Sequence, residues 1–451
     1  MLHSSRVIAA AAAPVLGLVL GATGSYADPV KFDFWYGLSG DLSNVVQQMC
    51  SNFNKSQSDY QIVCTSQTNY DTNLQNTIAA YRANKQPTLT QIYDVGTATM
   101  LLSGAVQPVY QLMADNGYKI DWSNYIPGVK SYYASAKGDL WSMPFNSSTA
   151  VLYWNKDAFK KIGKDAAPKT WEELAEDAKA LKAAGYDCPL ATDITNNESW
   201  ELLEQFSAIH NLPISTQNDG YDGLDAQVTF NKTKFVQMVT DLKSWYDQGL
   251  VVIKDAKQGE SYAAAFAAGH CQMTLDSIGD HGTIGKTAPA GMQWGTAELP
   301  VYAGTERHNS IVGGASLWVL KGKTDAEYKG AAAFLNWIAQ PDQALFWSTN
   351  TGYIPVTKTG FDFMTKSGFY QNPIYAGREV AVQSLSEGTP TPLTRGIRLA
   401  VMPQIRQELG NALQAIFAGQ VSVQAGLDDA AQRSNADLAK AAAQYKGATL
   451  P

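Results

Sequence analysis

The sequence predicts an α/β protein of two lobes joined by several passages of the chain, on three observations. Short apolar runs alternate with helical periodicity along most of its length, a rhythm that implies a largely parallel sheet. The character of the chain changes once, around MPFNSSTAVLYWNKDAF, after which a second α/β series begins. The chain of 451 residues also exceeds what one hydrophobic core usually serves. A chain that crosses repeatedly between two lobes builds a hinge.

The elements follow in order. MLHSSRVIAAAAAPVLGLVLGATGSYAD sets Arg6 before an alanine-rich apolar stretch and then Ser25-Tyr26-Ala27, small residues where a signal peptidase cuts. Residues 1–27 are expected to be a secretory signal and the mature chain to begin at residue 28; glycines, Thr23 and Ser25 interrupt the stretch before it spans a bilayer. Val30 to Trp35 alternates as a strand, and Leu42, Val45, Val46, Met49 and Phe53 recur at helical spacing behind it. A strand at Gln61 to Cys64, a helix carrying Leu74, Ile78 and Tyr81, and a strand at Leu89 to Tyr93 complete the first series. In such sheets ligands sit beyond the carboxyl ends of strands, which makes Asp94 a candidate.

Pro144 and the polar cluster Asn146-Ser147-Ser148 mark the crossing between lobes. The second series starts with a helix at Trp171, where Thr170 and Glu173 form a T-x-x-E capping box. A strand at Asp187 to Thr192, a helix of Phe235, Met238, Val239, Leu242 and Trp245 stopped by Gly249, and a strand at Cys271 to Asp276 follow. IVGGASLWVL then opens a strand assigned to the first lobe, followed by a helix through Trp337, a Pro341-initiated helix and a mostly helical tail from Pro403 to Tyr445. The expected division is 28–140 with about 289–347 in one lobe, and 141–288 with about 348–451 in the other.

Without residues 1–27 the formal charge is −8, from 33 basic and 41 acidic residues, which argues against nucleic acid or an anionic membrane surface as partner. Four cysteines in an exported chain are placed to pair. Four allow three pairings, and the helix–strand and strand–strand placements favour Cys50 with Cys64 and Cys188 with Cys271, with buried free thiols as the alternative. No C-x-x-C occurs and the five histidines are scattered, so no metal site is expected. NDGYDG, Asn218 to Gly223, imitates a calcium loop, but Gly220 takes a ligand position and Thr229 stands where the bidentate Glu belongs; a surface turn is the better reading. Glu201 and Glu204 imitate a glycosidase pair but sit one turn apart on one helix face, where they cannot flank a bond. G-x-S-x-G, H-E-x-x-H, the P-loop and a G-x-G-x-x-G after a strand are all missing, so no catalytic residue or cofactor is assigned.

NYDTNLQNTIAAYR, QIYDVGTATM, PFNSSTAVLYWNKDAFKK, IVGGASLWVL, TGYIPVTK and RLAVMPQIR, in this order, resemble the periplasmic glycerol-3-phosphate-binding proteins of ABC importers. The wider class is the extracellular solute-binding proteins, which also includes maltose binders. The resemblance implies a two-lobed periplasmic binding protein fold, closure of a cleft on a small-molecule glycerol phosphate or glycerophosphodiester, and delivery by a monomer to membrane permease subunits. It places ligand contacts at Tyr70, Asp94, Ser148, Ser277, Gly314, Tyr353 and Arg406, with Trp200, Asn197 and Asn146 as secondary contacts. Hydroxyls and a guanidinium suit phosphate oxygens, while Tyr70 and Asp94 would face the glycerol. Of Arg395, Arg398 and Arg406, only the last matches the family's position. Gly314 would present its N–H to phosphate because no side chain intervenes; a bulge or close strand packing is the other reason for glycines there. Asp94 stands where the family often has glutamate, and Asn197 near where it tends to carry tryptophan, a change that would widen the cleft for a diester such as glycerophosphocholine. The competing expectations are a sugar or oligosaccharide binder of the same superfamily, and a secreted phosphodiesterase or glycosidase.

Overall fold

The computed structural model describes residue 1 and residues 28–195, 200–254 and 259–451. The expected signal, apart from Met1, and Asn197 lie outside the described residues. Among the described residues, eleven strands form two sheets: β1 (Val30–Tyr36), β2 (Tyr60–Ser66), β3 (Leu89–Tyr93), β4 (Val106–Gln107), β5 (Met143–Ser148), β6 (Ala150–Asn155), β7 (Leu190–Thr192), β8 (Val251–Ile253), β9 (Met273–Ser277), β10 (Trp294–Ala297) and β11 (Gly313–Leu320). The first sheet runs β2-β1-β3-β11-β4 with β5 also on β11; the second runs β10-β6-β9-β7-β8.

The parallel pairs are those that helical crossovers require, β1 with β2 and β3 in one sheet and β7 with β8 and β9 in the other. Helix Gly40–Ser56 buries Val46, Met49 and Phe53, and the Phe53 ring meets Phe334 edge-on at 5.2 Å. Helix Trp171–Ala183 carries the capping box, with Thr170 Oγ1 accepting from the Glu173 amide and Glu173 accepting from the Thr170 amide. Cys50 is bonded to Cys64 and Cys188 to Cys271, one disulfide beside each sheet. No helix among the described residues is long and apolar enough to cross a membrane.

Sheet membership moves the expected crossings. β5 stays on β11 in the first sheet while β6 begins the second, so the chain changes sheets at Ser148-Thr149 rather than at 140–141. β10, expected in the first lobe, pairs antiparallel with β6, so the return comes just before Gly313 rather than at 289. A third passage runs through residues 351–356: the Thr351 carbonyl accepts from Arg378, which also donates to His281 behind the second sheet, whereas the Val356 carbonyl accepts from Ile126 beside the first. Between them the Ile354 amide donates to the Ser147 carbonyl, which adds this segment to the paired ends of β5 and β11. The tail divides likewise: helix Lys358–Lys366 follows a bridge from Thr357 to Tyr125, while helices Met402–Phe417 and Val423–Gln444 pack on helix Phe235–Asp247.

The NDGYDG segment departs from the surface turn expected of it. Gln217, Asn218 and Asp219 are left-handed, and Asp219 is buried because its carboxylate accepts from the amides of Ile214 and Ser215 while its carbonyl accepts from Arg398. Burial pushes the Asp219 carboxyl up to about 7.

Candidate ligand-binding site

The two glycines of IVGGASLWVL answer to two different neighbours. A Cβ on Gly313 would meet the Trp200 ring at 2.9 Å, so the bare residue lets the indole lie against the strand. Gly314 has φ +101°, a conformation only glycine adopts readily, and a Cβ there would fall 2.0 Å from the Asn146 carbonyl oxygen on β5. The pairing of β11 with β5 shifts register immediately after it, between Gly314 and Ser316. The Gly314 amide faces the Asp94 carboxylate, which stabilises its charged form. The amide expected to meet phosphate therefore points toward a carboxylate in this structure.

A cavity of about 510 Å³ opens at this junction, between the carboxyl ends of β3 and β5 and the end of β9. Tyr70, Asp94, Ser148, Ser277, Gly314, Tyr353 and Arg406 all line it, and so does Trp200. Asn146 is buried behind the lining: its side-chain amide donates to the Tyr70 hydroxyl at 2.7 Å and its Oδ1 accepts from Gln91 at 2.7 Å. Gln91 in turn accepts from the Gly37 amide at 2.7 Å, so a relay of neutral groups fixes the Tyr70 ring. Tyr70 also lies 3.4 Å, hydroxyl to hydroxyl, from Tyr353 and stacks on Tyr93 with 5.6 Å between centroids. Burial holds the Tyr70 and Tyr93 hydroxyls protonated, far above the ordinary phenol range.

On the side of the second sheet, Ser277 Oγ accepts from the Gly279 amide at 3.0 Å and so caps the turn Ile278–Asp280. That turn presses against the 351–353 segment, since a Cβ on Gly352 would fall 1.8 Å from the Gly279 carbonyl. Arg378, buried, ties the two together: Nε donates to His281 Nδ1 at 3.1 Å and Nη1 donates to the carbonyls of Ser348 and Thr351 at 2.7 Å each. With Nδ1 an acceptor, Nε2 carries the imidazole proton and donates to the Ala376 carbonyl. Burial and the adjacent Arg378 push His281 down to about 3, so the ring is neutral.

Arg406 is the cation of the lining, and it is engaged. Nε and Nη2 donate to the two oxygens of Glu204 at 2.5 and 2.8 Å, a two-pronged pair, and Nη2 stands 3.5 Å from Asp94 Oδ1. Arg406 sits in the first turns of helix Met402–Phe417 and Glu204 in a π-helical turn, Glu201–Gln205, of the kind found at functional sites. Burial works against the guanidinium charge, but Glu204 and Asp94 outweigh it and hold Arg406 protonated. Burial raises the Asp94 carboxyl to about 6 against the pull of Arg406, with Glu204 raising it further.

The lining also holds residues that sequence reasoning passed over. Asp71 accepts from the Tyr93 hydroxyl at 2.7 Å, and Asp280, its carboxyl raised by burial, closes the far side. Asp71 adjoins Tyr70 and Tyr93 adjoins Asp94, so both sit inside motifs already singled out. Glu204 had been set aside as an unsuitable glycosidase carboxylate, and no local signal ties it to a partner 202 positions away.

The model of the bacterial extracellular solute-binding protein family matches residues 48–372. The chain belongs to that family. It is 39% identical over 446 residues to the sn-glycerol-3-phosphate-binding periplasmic protein UgpB of Pectobacterium atrosepticum, covering 97% of each chain. Identity to UgpB of Escherichia coli is also 39%, over 432 residues that cover 94% of this chain and 96% of that one. Among solved structures, UgpB from Mycobacterium tuberculosis in complex with glycerophosphocholine superposes with TM-score 0.75 at 19% identity, over 92% of this chain and all of that one. The sugar-binding protein MalE of Xanthomonas citri gives 0.74 at 21%, over 93% and all respectively. The fold is the two-lobed one of binding proteins, with a hinge of paired strands and a ligand cleft between lobes.

Proposed function

We propose that this protein captures glycerophosphodiesters, and glycerol-3-phosphate more weakly, in the periplasm and hands them to the membrane permease of an ABC importer. The observation that carries the reading is the make-up of the cavity. Hydroxyls of Ser148, Ser277 and Tyr353 and the Arg406 guanidinium supply donors for phosphate oxygens, and Asp94 an acceptor for glycerol hydroxyls. Asp71, Asp94 and Asp280 against Arg406 give an acidic lining, and Tyr70, Tyr93, Trp200 and Tyr353 supply ring faces. That setting suits a phosphate ester that also carries a cation, as the choline diester does. Closure of the lobes then replaces the water shell of the ligand with fixed hydrogen bonds, and binding biases the hinge. The resemblance to named glycerol-3-phosphate binders over nearly the full chain supports a glycerol phosphate ester as the ligand class.

We read the protein as a binder: the lining arginine, Arg406, is held by the carboxylates of Glu204 and Asp94. Calorimetric titration of the purified protein with glycerophosphocholine, glycerol-3-phosphate and maltose tests the proposal. Saturable binding of the diester, weaker binding of the monoester and silence with maltose are expected. Binding of maltose alone, or release of choline from glycerophosphocholine, would overturn it.

A further inference from the structure

The phosphate-binding arginine of the proposed site is not an open cation. Its Nε and Nη2 are held by both oxygens of Glu204, and Nη2 leans toward Asp94. All three side chains are buried, at 7% exposure or less, so water screens their interactions little. One positive and up to two negative charges therefore meet at the spot where the phosphate would sit. A phosphate monoester carries close to two negative charges at neutral pH and a diester only one. Each extra negative charge on the ligand is thus repelled by a cluster with no positive charge to spare.

We infer that Glu204 sets the charge preference of the cleft, making it select singly charged phosphate diesters over doubly charged monoesters. The inference rests on the phosphate-ester reading above and deepens it. Glu204 does not line the cavity; it acts through Arg406 as a positioning residue, orienting the guanidinium and neutralising it at once. It differs from a contact that recognises the alcohol group of the ester. The preference should persist when choline is replaced by the smallest alcohol.

The test compares glycerol-3-phosphate with the methyl phosphodiester of glycerol, two ligands that differ by one charge and one methyl group. Affinities are measured by calorimetry at pH 7.5 on the unaltered protein, on Glu204→Gln and on Glu204→Asp. The unaltered protein should bind the methyl diester at least about tenfold more tightly than the monoester. Glu204→Gln, which keeps the shape and an acceptor oxygen but drops the charge, should reduce that ratio about tenfold. Glu204→Asp should retain most of it. A ratio in Glu204→Gln within twofold of the unaltered protein overturns the inference, as does an unaltered protein that prefers the monoester. Were Glu204→Gln not to fold, Asp94→Asn, which removes the carboxyl that titrates at about 6 and leaves Glu204 on Arg406, decides: its diester preference should still shrink severalfold from pH 8 to pH 5.5, as the monoester loses its second charge, and a constant preference overturns the inference. Failure of the unaltered protein to bind either ester would instead strike at the phosphate-ester reading itself.

Discussion

The two walls of the cleft are fixed by different chemistry. Toward the first sheet, Tyr70 is held by a chain of neutral donors and acceptors running from the Gly37 amide through Gln91 and Asn146. Toward the second, the Ser277–Asp280 turn and the 351–353 segment are fastened by a buried cation, Arg378, through a neutral imidazole and two carbonyls. A neutral relay is indifferent to pH, whereas a charged fastener with a histidine partner is not. Where the walls meet, Arg406 binds Glu204 from the second side and leans on Asp94 from the first. The comparison teaches that rigidity on one side comes from satisfied amides, and on the other from a charge that tolerates no competitor.

The largest effect should follow from removing the group common to both walls. Arg406→Ala is expected to abolish binding of glycerophosphocholine and to cost up to about 5 kcal/mol of stability, because Glu204 and Asp94 are left buried without a counter-charge. Calorimetry and urea unfolding read the two losses separately; intact binding would remove Arg406 from the site. Next come the disulfides, one per sheet. Opening Cys188–Cys271, which closes 83 residues, should cost about 4.5 kcal/mol on loop entropy, and opening Cys50–Cys64, which closes 14, about 3 kcal/mol. Paired Cys→Ala variants compared by urea unfolding check this order, and a reversed order would show that the second-sheet lobe depends less on its crosslink than its loop length implies.

The smallest effect sharpens the contrast in pH response. His281 has a folded value of about 3 against an ordinary 6.5. Below 6.5 the unfolded chain therefore takes up a proton that the folded one refuses, and stability is lost as pH falls from 6.5 toward 3. At pH 5 the loss is about 2 kcal/mol. Replacing the ring by His281→Gln, which can still accept from Arg378 and donate to Ala376, should flatten that part of the stability curve, whereas Asn146→Ala should lower the curve without changing its slope. Thermal unfolding from pH 4 to 8 distinguishes the two; equal slopes for His281→Gln and the unaltered protein would refute the assignment.

The α/β series was legible because apolar spacing is local: Val46, Met49 and Phe53 mark one helix face wherever the helix packs. The capping box at Thr170 was legible for the same reason. Sheet membership was not, because it is settled by pairing. β10 follows the second series closely in the chain yet nothing in Trp294–Ala297 says that β6 will be its partner. Asp219 was misread because turn chemistry describes the backbone of a segment and not what lands on it, here Arg398 from 179 positions on. The seven residues carried over from the family resemblance face one cavity. The ion pair that governs its lining arginine joins residues far apart in the chain, and no motif announces it.

Ser148 ends the strand on which the chain leaves the first sheet, and Gly313, the neighbour of Gly314, stands beside it where the chain has just returned. In the proposed reading the fulcrum of the molecule and its grip are thus the same few residues. A solute touching them need not send a signal through intervening packing; it loads the pivot itself, so recognition and movement share one mechanical event.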